Sequence, residues 1–456
     1  MAGIGFELRK LLRRESYTGL LGAYAYAGAV GAGPWVLSII SILLIGILSL
    51  SVVIPGYQIA QFQVTVTYLY VLSLILTGLV QLGFTRWVAD RLFEKREALI
   101  TPNFNGVLLV VTGIGGLLGL AAVFALFPEQ SDLYRVLFVA GFVIMCCIWT
   151  GTIFLTGLKR YRDILLLYLI GYAITVGAAL AMRPLGIEGL LLGFVVGHFV
   201  LLMGIITLVA RGYPSERYVA FDFARRGAMY GGLIYAGFMF HLAVWTDKFL
   251  FWYHPDTGQT IIGPLHASII YDMPVFLAYL AIIPGMAVFL VRIETDFAEY
   301  FTKFYDAVRE GASLEFIEGM RDEMVYTVRQ ALFEIVKIQG MAILAVFVGG
   351  PWILEHLGIS LIYVPLLYIN VVSAGLQVVL LGIVSIFYYL DKRVTVVLVT
   401  TLFFVANLGF TSATLWLGAP FYGYGYALAL LVTVVVAMRF METKLALLEY
   451  ETFMLQ

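Results

Sequence analysis

Long apolar runs parted by short charged clusters set the pattern of this chain. Apolar runs lie at about 22–53, 63–85, 104–127, 133–157, 163–183 and 187–210. After a polar connector at 211–226 they resume at about 228–252, 264–291, 328–350, 361–390, 394–417 and 422–438. A helix crosses the hydrocarbon core of a bilayer with about 20 apolar residues, so the pattern predicts twelve spans. The expected fold class is an all-α membrane protein, its 12 transmembrane helices forming two pseudo-symmetric six-helix bundles over 1–210 and 211–456. A cytoplasmic amphipathic helical insertion, 292–330, is expected between helices 8 and 9.

Charge tests the count. With the N-terminus in the cytoplasm, every Lys and Arg falls in an inside segment or, as Arg329 and Lys337 do, in the inner part of a run, except Arg135, Arg183 and Lys248. Cytoplasmic loops carry an excess of these residues, and one missed helix would reverse the sign of every later loop. Both termini are therefore expected inside. Tyr26-Ala27-Gly28 in span 1 recurs as Tyr235-Ala236-Gly237 in span 7, each following a double arginine, Arg13-Arg14 and Arg225-Arg226. This faint repeat fits a parallel duplication, as in many transporters.

Several local features stand out. Ile4, Leu8, Leu11 and Leu12 give residues 3–17 one apolar face flanked by basic residues, the pattern of an interfacial helix. Pro34, inside the first span, predicts a kink or hinge, because proline removes a helix hydrogen bond. Thr101-Pro102 reads as a helix start. Phe297, Phe301, Phe304 and Tyr305 repeat at three and four along one helix face, which Gly311 ends and a helix capped by Ser313 follows. Acidic residues outnumber basic ones from Arg292 to Lys337. This loop either docks a partner or lies against the cytoplasmic ends of the bundle.

The seventh run breaks the apolar pattern most sharply. It carries His241, Asp247 and Lys248, and ionisable groups at membrane depth cost about 2.5 kcal/mol or more each. They persist where they have partners or line a wet cavity, so a transport path is expected here; a local pair that only fixes helix packing is the plainer reading. Trp245 and Trp252 add aromatic faces suited to sugar rings. Lys248 is expected to pair with Asp247 or Asp272. Adjacent helix positions point about 100° apart, so of Asp247 and Lys248 one is expected to face the cavity and the other a neighbouring helix. Asn370 and Gln377, seven apart, share a helix face and line the path or join two helices. His198 reads as a hydrogen-bonded structural residue.

Composition agrees with the pattern. The chain has 456 residues, 62% hydrophobic and 12% charged, and its mean hydropathy is +0.96. No soluble domain has that balance. A net charge of −1 gives no reason to expect a nucleic acid partner. Cys146 and Cys147 adjoin in an apolar run and read as core residues, and the first run is too long for a cleavable signal. Gly115 and Gly119 read as helix packing rather than a dinucleotide fingerprint. The five histidines are scattered. No cofactor, metal site or enzyme activity is expected.

Two stretches carry a family resemblance. Thr246 to Phe276, with Asp247-Lys248, Gly263 and Tyr271, resembles a recurring pattern in polysaccharide exporters of the MOP superfamily. The opening Gly-Ile-Gly-Phe-Glu-Leu-Arg (Gly3 to Arg9) and the Gly33-Pro34-Trp35 break resemble the PelG family, inner-membrane exporters of the Pel exopolysaccharide of bacterial biofilms. The resemblance implies that a growing polymer rich in N-acetylgalactosamine passes from a cytosolic glycosyltransferase across the bacterial inner membrane. It implies other Pel inner-membrane proteins as partners, among them a cyclic di-GMP receptor, with no nucleotide site in this chain. A lipid-linked oligosaccharide flippase or a multidrug/cation antiporter of the same superfamily is the alternative, and a docking scaffold is a further one.

Overall fold

The computed structural model describes residues 17–157, 161–225 and 227–454. The N-terminal interfacial segment, the motif Gly3 to Arg9, Arg13-Arg14 and Arg226 lie outside the described residues. The helices are α1 (Tyr17–Ser49), α2 (Tyr57–Phe93), α3 (Ile100–Leu126), α4 (Asp132–Gly157), α5 (Tyr161–Met182), α6 (Ile187–Gly212) and α7 (Gly231–Tyr253). A hairpin of β1 (Gln259–Ile262) and β2 (Leu265–Ala267) follows. Then come α8 (Ile269–Leu280), α9 (Ile283–Val291), a π-helical stretch Arg292–Phe297, α10 (Ala298–Arg309) and α11 (Leu314–His356). The last are α12 (Val364–Tyr389), α13 (Arg393–Leu417), α14 (Tyr424–Ala446) and α15 (Leu448–Met454).

Among the described residues nine helices are long and apolar enough to cross a membrane, or up to eleven if two bent pairs each count as one span. Helix α7, 23 residues long, is not one of the nine. Its length suffices; His241, Asp247 and Lys248 lower its hydropathy. Helix α1 breaks between Gly31 and Val36, the stretch that holds Pro34.

The chain forms two compact units. One comprises Gly33–Trp245 and Trp252–Ser268; the other comprises Met1–Ala32, Thr246–Phe251 and Ile269–Gln456. In the first unit Phe84, Phe104 and Phe154 form an aromatic core, with Phe154 ring centroids 5.3 Å from Phe84 and 4.6 Å from Phe104. The connector after α6 is pinned to α3: Asp222 N donates to Asn103 Oδ1 at 2.7 Å, and Asn103 Nδ2 to Asp222 Oδ2 at 3.1 Å. Helix α3 begins at Ile100, after a 3-10 turn, so Thr101 is already helical rather than its cap. Its hydroxyl instead donates to the Tyr213 carbonyl.

The hairpin adds two strands to a fold expected to be all helix. Gly263, at φ +52°, makes its turn, and Thr260 pairs with His266. Tyr68 of α2 holds it on both backbone groups of His266: its OH donates to the carbonyl at 3.0 Å and accepts from the N–H at 3.2 Å.

In the second unit α8 and α9 form one bent pair, turned by 41°. Pro284 has no N–H to continue the helix ladder, and the Ala281 carbonyl in the break accepts from Gln339 Nε2 of α11 at 2.9 Å. Helix α10 ends at Arg309, Gly311 has φ +67°, and the Ser313 side chain accepts from Phe316 N. The chain then departs from the expected insertion. No break separates the charged stretch from the next apolar run, and both form the single 43-residue helix α11. Such a helix is about 65 Å long, roughly twice the hydrocarbon core, so a large part of it stands outside lipid.

Helix α15 is tied down by charge. Glu451 pairs with Lys392, before α13, and with Lys444 of α14, the latter at 2.6 Å. Desolvation raises the Glu451 carboxyl, but hydrogen bonds from Lys392 and Lys444 outweigh it and hold the group below the usual carboxylate range. A depressed carboxyl stabilises the fold above its unfolded value and loses that contribution as pH falls through its folded value. Glu451→Gln is therefore expected to lower the thermal midpoint at neutral pH and to match wild type only once the pH has fallen below the depressed value, where the carboxyl is protonated in both states. An equal deficit at both pH values would refute this account of the tie.

Candidate functional site

Helix α7 places its polar residues in two separate settings. His241 lies in the first unit, where His241 Nε2 and Gln81 Oε1 of α2 are 3.0 Å apart. Gln81 Nε2 in turn donates to Thr77 Oγ1 at 3.2 Å. Glycines make this approach of α2 and α7 close: a Cβ on Gly78 would lie 2.9 Å from both the Gly237 carbonyl oxygen and His241 Cδ2. Trp245 and Trp252, seven apart, have ring centroids 6.4 Å apart, and Trp252 packs on Tyr68 at 4.8 Å.

Asp247 and Lys248 belong to the second unit, 0% and 3% exposed. Lys248 Nζ lies 3.2 Å from Asp247 Oδ1 and 3.1 Å from Oδ2. Tyr271 OH of α8 donates to Asp247 Oδ2 at 2.6 Å, and Asn407 Nδ2 of α13 to Oδ1 at 3.3 Å. Lys248 also donates to Tyr279 OH at 3.3 Å and sits 4.4 Å from the Tyr426 ring centroid, a cation–π contact. Tyr279 and Tyr426 both donate to Gln377 Oε1 of α12, at 2.8 and 2.9 Å. Thr411 completes the network, donating to Asn407 Oδ1 at 2.7 Å. Phe251 stacks on Tyr271 with ring centroids 3.8 Å apart and closes one side.

This geometry corrects one expectation. Asp247 and Lys248 do not point to different surroundings. The lysine stem is long enough to bring its ammonium back to the preceding carboxylate, and both are buried in one polar network. Each charge thus has a counter-charge and hydrogen bonds, the condition for burying it. Of the two expected partners of Lys248, Asp247 holds its ammonium, and Asp272 is half-buried beside Tyr271. Gln377 joins the network; Asn370, two turns earlier on α12, is buried, and its Nδ2 has no partner among the described residues. Tyr279, Tyr426, Asn407 and Gln81 are not singled out by sequence. Their only signal is a hydrogen-bonding group inside an apolar span.

The aromatic face at 297–305 also differs from a free docking surface. Phe297 and Phe304 are fully buried, and Phe297 and Phe301 pack on Tyr389 of α12, with ring centroids 5.3 and 5.5 Å apart. Phe301 stacks on Tyr305 at 4.7 Å. These side chains fasten α10 to its own unit. His198 is held by Tyr70 OH at 3.0 Å and by the Phe194 carbonyl at 2.9 Å.

The family model PelG, described as "Putative exopolysaccharide Exporter (EPS-E)", matches residues 1–453. The chain belongs to the PelG family. No curated protein matches this PelG-family chain in sequence. Its fold is that of MOP-superfamily transporters. An outward-facing multidrug resistance MATE family transporter of that superfamily is similar at TM-score 0.66 and 13% identity, covering 93% of this chain and 96% of that one. A MATE protein in a bent conformation is similar at TM-score 0.64 and 14% identity, covering 97% and 96%. A MOP superfamily transporter from Pyrococcus furiosus, described as having a binding pocket of reversed polarity, is similar at TM-score 0.61 and 13% identity, covering 93% and 96%. Family and fold are those of transporters, and the PelG-family chain is a multi-pass membrane protein whose family handles a polysaccharide.

Proposed function

We propose that this chain exports a Pel-type polymer, rich in N-acetylgalactosamine, across the bacterial inner membrane by alternating access. The family match over residues 1–453 carries the reading, and the MOP fold supports it. The polymer is taken from a cytosolic glycosyltransferase, and the chain works beside other Pel inner-membrane proteins that sense cyclic di-GMP. A partner would meet the exposed acidic side of the α10–α11 pair, where Asp296, Glu299 and Glu323 line a cavity of about 250 Å³ with Tyr300 and Tyr326. Counting α7 with the nine helices and two bent pairs gives twelve spans, an even number that would leave both termini on one side, which this reading takes to be the cytoplasm from the sidedness of Lys and Arg. Alternating access would use the break at Pro34 as a hinge, with His241 and Trp245 on the sugar path. The Asp247–Lys248–Gln377 network would hold the neighbouring turn of α7 in place. In the second unit Asn370, whose buried Nδ2 has no partner among the described residues, is a group able to hydrogen-bond a sugar hydroxyl.

The test is polymer export in cells carrying His241→Ala, Trp245→Ala, Asp247→Asn or Lys248→Ala, with membrane level and complex assembly measured alongside. The expected result is a loss of export of at least tenfold for His241→Ala and Trp245→Ala at normal level. Unchanged export in both would remove α7 from the path.

A further inference from the structure

A buried carboxylate in a membrane transporter is where a coupling ion is ordinarily sought. In this chain Asp247 is already saturated. A carboxylate has about four lone-pair sites. Among the described residues Oδ1 receives Lys248 and Asn407, and Oδ2 receives Tyr271 and Lys248. The Lys248 ammonium lies among oxygens, namely both of Asp247, the Tyr279 hydroxyl at 3.3 Å and, through it, Gln377 Oε1. The Tyr426 ring covers another side of the ammonium, and oxygen ligands of this kind are those that hard cations select. The network thus has the donor chemistry of a cation site, filled by a side chain.

We propose that Lys248 is a tethered cation, occupying the place an exchangeable sodium ion would take at Asp247, so that the transport cycle loads no sodium there. The inference rests on reading the chain as a transporter, and it names how that activity is not driven. It also locates a latent site: without the ammonium, Asp247, Tyr271, Tyr279 and Gln377 are left as a buried oxygen-rich pocket with one net negative charge. Such a pocket takes up sodium to restore neutrality.

The test is thermal unfolding of the purified full chain in detergent, in sodium chloride against choline chloride at equal ionic strength. A ligand that binds only the folded state raises the midpoint by mass action. Wild type is expected to show no sodium-specific shift. Lys248→Ala is expected to gain a saturable sodium-specific rise of several degrees, absent from the Asp247→Asn/Lys248→Ala double variant. Should Lys248→Ala fold poorly, sodium but not choline present during extraction is expected to rescue it, and Lys248→Ser, which adds a ligand oxygen, provides a second background. A sodium-specific shift in wild type that Asp247→Asn abolishes would overturn the proposal, as would sodium indifference of both lysine variants. The readout is binding and not export, so failure of the polysaccharide assignment leaves it standing.

Discussion

Asp247→Ala alone is expected to destabilise the protein by about 3–5 kcal/mol, the cost of leaving a buried charge without its partner. The structure sets the size of the effect. Lys248 is 3% exposed, and its ammonium has Asp247 as its anionic partner among the contacts shown. Removing the carboxylate also strips the acceptor from Tyr271 and Asn407. Lys248→Met should cost nearly as much, because the carboxylate is then buried charged. The double variant Asp247→Asn/Lys248→Met is expected to recover more than half of either loss. Replacing a whole buried pair is often near neutral, and the carboxamide oxygen introduced by Asp247→Asn would still accept from Tyr271. Denaturant unfolding of wild type, the single variants and the double variant in one detergent checks this as a double-mutant cycle. Additive losses would mean that the pair is not coupled, contrary to the geometry.

Gly193→Ala is expected to be a damaging single-methyl change, costing about 3 kcal/mol, the upper end of the range for overpacking. Gly189, Gly193 and Gly197 recur every four residues on α6 and form its seam with α5. A Cβ at Gly193 would overlap the backbone N and Cα of Ala179, and one at Gly197 would lie 2.5 Å from the Cα and N of Thr175. Backbone cannot turn aside as a side chain can, so the helices must separate along the whole seam. Small residues spaced by four allow such approach in membranes, where packing rather than the hydrophobic effect holds helices together. Gly113→Ala and Gly116→Ala are the controls, because among the described residues nothing lies within 4 Å of a Cβ at either position. They should leave the midpoint unchanged and raise helix propensity slightly. Equal losses in all three variants would show that the α5–α6 contact is looser than the structure has it.

That glycine seam is legible in the sequence as a four-residue repeat, yet the same spacing singles out Gly115 and Gly119. Their added Cβ atoms would meet only side chains of α4, at 3.8 Å and 3.3 Å. Spacing cannot tell a backbone contact from an ordinary one. The same limit applies to the polar residues. Asp247 and Lys248 are conspicuous because charge is costly in lipid, so position alone marks them. Tyr279 lies 31 positions from Lys248, and Asn407 lies 160 from Asp247. Tyr426 is further still, and tyrosine is common enough at membrane depth to raise no alarm.

By itself the sequence determined that the chain lies in a membrane, roughly where its helices run, and which turn of α7 carries buried charge. These follow from local quantities: hydropathy over about 20 residues, the sidedness of Lys and Arg, and the cost of burying an ion. Only the tertiary structure decided that Asp247 and Lys248 meet each other, that Phe297 and Phe301 close on Tyr389, and that the charged stretch after α10 runs unbroken into α11. Each of these depends on which neighbouring element supplies the partner. A periodic pattern fixes the face a residue occupies, and leaves open what that face will meet.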